Sequence, residues 1–106
     1  MQEIITGTAS YPDDKNTLHK FQYSLLVQHV PIGRFLLESY GVAVSQPGGD
    51  CVRLPRITLS RTRIDSLMAL LIEHVVTPTE LFYVVEDWAK ENHLPQPKLQ
   101  QVAEVI

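Results

Sequence analysis

Two amphipathic helical patterns meet at Thr77-Pro78-Thr79-Glu80, and this junction constrains the fold more than any other stretch of the chain. Thr77 offers a capping hydroxyl, Pro78 suits a first helical position that needs no N–H, and Glu80 completes a Thr-x-x-Glu capping box. A helix therefore starts here. Its apolar residues Leu81, Val84, Val85 and Trp88 follow the spacing of one buried face. Upstream, Ile64, Leu67, Met68, Leu71, Ile72 and Val75 repeat that spacing, with Ser60 or Thr62 as cap and Asp65 expected in the first turn. Leu70 and Val76 widen the apolar surface of this first helix beyond a single stripe.

The residues before Ser60 read as strands separated by turn chemistry. Gln2 to Ser10 is β-prone, and Tyr11-Pro12-Asp13-Asp14-Lys15-Asn16 supplies a loop. From Leu18 to His29, Phe21, Tyr23, Leu25 and Val27 alternate with Gln22, Ser24 and Gln28, the period-2 pattern of a half-buried strand. Val30-Pro31-Ile32-Gly33 reads as a tight turn, and Arg34 to Gln46 as a third strand. Gly41 inside that strand signals a bulge or a close backbone approach. Gln46-Pro47-Gly48-Gly49-Asp50 makes the next turn, and Pro55 splits the segment Cys51 to Leu59 or confines it to an edge. Strands followed by helices with short polar connections predict an α+β fold: an antiparallel four-stranded meander with two amphipathic helices packed on one face. Residues 1–94 are expected to form this single domain. Residues 95–106, with Leu99, Val102 and Ile106 on one stripe, are expected to be a tail or a short docking helix.

At 106 residues and 44% apolar content, the chain suffices for one core and not for two. A net charge of -3 and a pI near 5.7 argue against general nucleic-acid or anionic-membrane binding, which needs a positive field. One cysteine, Cys51, leaves no internal disulfide and no cysteine-rich metal site, which fits a reducing cytoplasm. No run of about 18 apolar residues and no secretory leader pattern is present, so neither spanning nor export is expected.

Catalytic patterns are lacking. His19, His29, His74 and His93 form no H-x-x-x-H pair, and Cys51 follows a Gly-Gly-Asp turn with no nucleophile signature. Glu86 and Asp87 are neighbours on a helix and diverge by about 100°. Gly48-Gly49 lacks the spacing of a phosphate loop. No catalytic residue, cofactor, metal or small-molecule substrate is assigned, and the balance leans away from an enzyme.

The sharpest chemical feature is Arg53, Arg56, Arg61 and Arg63, with no acid between Cys51 and Ile64. Guanidinium forks match oxyanions, so this stripe is a candidate anion or partner contact. Charge guarding a strand edge accounts for the same residues. A helix-turn-helix reader is disfavoured, because the second helix carries Glu80, Glu86, Asp87 and Glu91 against Lys90.

Tyr40-Gly41-Val42, the Ser60-led helix and Thr77-Pro78…Leu81…Val84-Val85-Glu86-Asp87 resemble a family of small bacterial proteins, mainly clostridial Firmicutes, grouped as a domain of unknown function. The resemblance runs from about Phe21 to Asn92 and implies the same β-then-α order. It implies no activity, cofactor or catalytic residue.

The expected function is a cytoplasmic, non-catalytic protein-interaction module, with a second copy as the first partner, since symmetric dimers are the commonest oligomers. Surplus apolar residues mark the expected interface: Leu26, Leu36, Leu70, Phe82, Tyr83, Leu99, Val102 and Ile106. The alternative is a regulatory protein that binds nucleic acid or another anion through the arginine stripe.

Overall fold

A computed structural model describes residues 1–92 of the chain. Four strands, β1 (Gln2–Pro12), β2 (Leu18–Ile32), β3 (Phe35–Ser45) and β4 (Cys51–Thr58), precede helices α1 (Arg61–Glu73) and α2 (Pro78–Glu91). The strands form one antiparallel sheet in the order β1-β2-β3-β4, so the expected meander and helical pair are both present. Leu99, Val102 and Ile106, with the rest of the expected tail, lie outside the described residues.

Alternation along β2 sorts the sheet into two faces. Phe21, Tyr23, Leu25 and Val27 join Val42 and Val44 of β3 and Val52 and Leu54 of β4 beneath the helices. Ile64, Leu67, Met68 and Leu71 of α1 and Leu81, Val85, Trp88 and Ala89 of α2 close this core. Ser60 caps α1 by accepting from the Arg63 N–H, at 3.2 Å. Asp65, expected in the first turn, stands one turn farther on, because the helix starts at Arg61 with which it pairs at 3.0 Å. Glu80 closes the box at the start of α2 by accepting from the Thr77 N–H at 3.2 Å and the Thr77 hydroxyl at 2.8 Å.

The turn between the helices is held from both sides. The Val75 and Val76 N–H groups donate to the Ile72 and Leu71 carbonyls, with Val75 at φ 48, which is the Schellman pattern with valine where glycine is usual. From the sheet, the buried Tyr23 hydroxyl donates to the Val76 carbonyl at 2.9 Å.

The helix-free face is built differently. Arg53 of β4 meets Glu3 of β1 at 2.8 Å although two strands lie between them. In a flat sheet three strand spacings would separate the two strands by about 14 Å, so the sheet bends over this face. Small residues line the bend: Ser24, Ser39, Gly41 and Ala43 are buried here, around a Leu26 that is 1% exposed. Leu26, expected among the surplus apolar surface, is thus part of the interior.

Pro55 and Gly41 belong to one event. Between the pairs Val42↔Leu54 and Tyr40↔Thr58, β4 carries an irregularity that places Arg56 at φ 56. The displaced β4 backbone presses onto Gly41, where an added Cβ would stand 2.6 Å from the Pro55 Cα.

Candidate functional site

The strands differ in length, and the difference creates the most distinctive surface. β1 begins pairing at Gln2↔Val27 and β4 ends at Tyr40↔Thr58, whereas β2 and β3 stay paired to Ile32↔Phe35. The β2–β3 hairpin therefore projects as a two-stranded ribbon, and the molecule measures 54 × 26 × 24 Å. The expected turn at Val30-Pro31-Ile32-Gly33 is corrected here: the strand continues through Ile32, and the loop is Gly33-Arg34. Gly33 has φ 61, as the first loop position of a type II′ hairpin needs. Pro31 is compatible with the strand because Ile32 and Phe35 close the hairpin as a hydrogen-bonded pair. Alternation then points the position-31 backbone outward, where no ladder N–H is missed.

The ribbon carries apolar side chains into water. Phe35 is 72% exposed and Leu36 66%, with Ile32 and Leu37 also exposed. Two-stranded ribbons are marginal alone, and one that carries exposed apolar side chains on both faces gains stability from a partner that covers them. Of the residues expected at an interface, Leu36 lies on this ribbon, on the face opposite Phe35 and Leu37. Tyr83 is 67% exposed on α2, with Phe82 turned toward the core and against the Tyr83 ring edge-on. Leu70 packs half-buried on the core.

The four arginines separate. Arg53 pairs with Glu3 on the helix-free face, and Arg61 pairs with Asp65 while lying 5.9 Å from the Tyr40 ring centre. Arg63 donates from Nη1 to the Asn92 carbonyl at 3.2 Å. Arg56 has no ion pair among the described residues and lies exposed in the β4 irregularity. Arg56 and Arg63 line one open groove of about 560 Å³ with Ser39, Ile57, Thr58, Leu59 and Ser60, at the root of the ribbon and the start of α1.

A second cluster was not foreseen from the sequence. His19 Nε2 stands 2.9 Å from Asp13 Oδ2, and the Gln46 amide nitrogen stands 3.2 Å from His19 Nδ1. Asp13 Oδ1 accepts from the Lys15 and Thr17 N–H groups, closing the β1–β2 turn. The His19 hydrogen bond, with those backbone donors, lowers the Asp13 pKa below the ordinary 3.8. Such a carboxylate favours the folded chain above that value, and the advantage is lost as pH falls through the lowered one. His19 and Gln46 border a cleft of about 400 Å³ with Tyr11, Phe21, Asp50 and the Thr77–Glu80 corner. Asp13, His19 and Gln46 act together as a clamp joining the β1–β2 turn to the end of β3. Cys51 pairs with Ser45 on the helix-free side, opposite the face of His19, so thiol and imidazole do not converge. Among the described residues no group of His, Cys, Asp and Glu is arranged to hold a metal ion, and no helix is long and apolar enough to cross a membrane.

Residues 2–91 match a family of unknown function (DUF6514), so the match takes in β1 as well as the elements that carry the sequence resemblance. No curated protein and no solved structure matches the chain.

Proposed function

We propose a protein-contact function for this chain, which belongs to that family of unknown function and takes no activity from it. The chain acts as a non-catalytic cytoplasmic module that presents the β2–β3 ribbon to a protein, with a second copy as its first partner. The observation that supports this is the exposure of Ile32, Phe35, Leu36 and Leu37 on an arm that neither β1 nor β4 buttresses. Ribbon burial against a protein removes this apolar surface from water, at about 25 cal/mol per Å².

Light scattering across concentration tests the self-association part. Wild type is expected to be a dimer, and the double variant Phe35→Ser, Leu37→Ser a folded monomer, because both side chains lie outside the core. A wild-type monomer at high concentration would remove the second copy as partner.

A further inference from the structure

We infer that the free edge of β3 at Phe35–Ser39 receives an extended acidic peptide as an added strand, its acidic group held in the groove of Arg56 and Arg63. The inference rests on the protein-contact reading, specifies its mode and partner chemistry, and makes the peptide a competitor of the second copy for Phe35 and Leu37.

Backbone geometry supplies one part of the site. β4 leaves β3 after Thr58, where the chain turns into α1, so among the described residues β3 has no strand neighbour on that side from Ser39 to Phe35. Alternation from the closing pair Ile32↔Phe35 directs the N–H and C=O groups of Leu36 and Glu38 away from β2, into the lane that β4 has vacated. The opposite lane, beside β2, is blunted by Pro31, which has no N–H to offer. One edge of the ribbon is thus open to strand addition and the other lacks a donor at its centre.

Side chains supply the second part. A strand in the open lane lies between the Phe35 and Leu37 side chains on one face and Leu36 on the other, all exposed, so alternate apolar residues of the peptide find contacts on both sides. At the Ser39 end the lane opens into the groove, where Arg56 carries a charge without an ion-pair partner among the described residues and Arg63 adds a second. Thr58 and Ser60 place hydroxyls there, and Ile57 and Leu59 give apolar walls. The fitting occupant is therefore a peptide of alternating apolar character with an Asp or Glu at the end nearest Ser39. Nucleic acid fits less well, because the outward Leu36 and Glu38 backbone offers donors and acceptors in alternation, which a peptide backbone matches and a phosphodiester backbone, with acceptors alone, does not.

Panning a phage-displayed library of random dodecapeptides on the full chain tests this, followed by fluorescence anisotropy with the most enriched peptide in synthetic form. Enriched sequences should combine an acidic residue with β-branched or aromatic ones. Arg56→Glu and Leu36→Pro should each weaken binding about tenfold or more, and raised salt should weaken it further. Leu36→Pro removes the outward N–H without touching the β2–β3 ladder. Should that variant misfold, amide exchange on wild type replaces it, with the Leu36 and Glu38 amides expected to slow when peptide is added. Absence of enriched peptides, affinity indifferent to Arg56→Glu, or unchanged exchange at Leu36 and Glu38 would overturn the inference. Protection of those amides in a peptide-free dimer would overturn it too, by assigning the edge to a second copy. A failed peptide test beside an intact contact through Phe35 rejects strand addition alone and leaves the protein-contact reading standing.

Discussion

Gly41→Ala is expected to lower stability by about 3 kcal/mol or more, a drop of roughly 12–24 °C in thermal midpoint for a chain of this size. An alanine Cβ would collide with the Leu54 carbonyl oxygen and stand 2.6 Å from the Pro55 Cα. Both are backbone atoms of the irregular part of β4, so no side-chain rotation relieves the contact. Either β4 moves away from β3, which opens the core at Val52 and Leu54, or the irregularity itself rearranges. Gly33 provides the contrast, because nothing lies within 4 Å of a Cβ there and its replacement costs only the strain of a positive φ. Thermal unfolding followed by circular dichroism reads the difference. A Gly41→Ala protein melting with wild type would mean that β3 and β4 do not approach this closely.

Tyr23→Phe is expected to cost about 1–3 kcal/mol, since it deletes the hydroxyl that pins the helix–helix turn to the sheet and leaves the Val76 carbonyl short of its donor in the interior. The ring remains, so the loss is that of a hydrogen bond rather than of packing. Burial, reinforced by the charge of Glu80, pushes the Tyr23 pKa up to about 12 from 10.0. A raised phenol pKa gives stability that is complete below 10.0 and is lost as pH rises toward 12, because the unfolded chain ionises first. Wild type should therefore lose stability over that alkaline range more steeply than Tyr23→Phe. Denaturant unfolding at neutral and alkaline pH measures both effects, and equal alkaline slopes would contradict the buried setting of the hydroxyl.

The helical layer was legible because its signals are local. A capping box, a proline at the first turn and a 3.6-residue apolar repeat are all satisfied within the chain segment that carries them, and Thr77, Pro78, Glu80 and Trp88 occupy the expected roles. Gly41 and Pro55 were legible as an interruption, but sequence alone does not show that the two meet across a strand pair. The ribbon was hidden by Pro31 and Gly33, which read as punctuation. Only the two-residue loop, with Val30 and Ile32 matched to Leu37 and Phe35 respectively across it, reveals that the strand passes through the proline. The arginine stripe divides because adjacency in sequence crosses a strand face, an irregularity and a helix start, which send Arg53, Arg56 and Arg61 in different directions and leave Arg56 and Arg63 on one groove. The Asp13–His19–Gln46 clamp was invisible, since it depends on the β1–β2 register and on where β3 ends.

Site-specific photo-crosslinking decides whether the contact surface is the ribbon or the helical layer. A photoreactive phenylalanine analogue at position 35 or at position 83 is introduced into the full chain in its native host, and each product is identified by mass spectrometry. The ribbon reading predicts one discrete adduct from position 35, either a second copy or a single other protein, and none from position 83. A discrete adduct from position 83 with none from position 35 would contradict it.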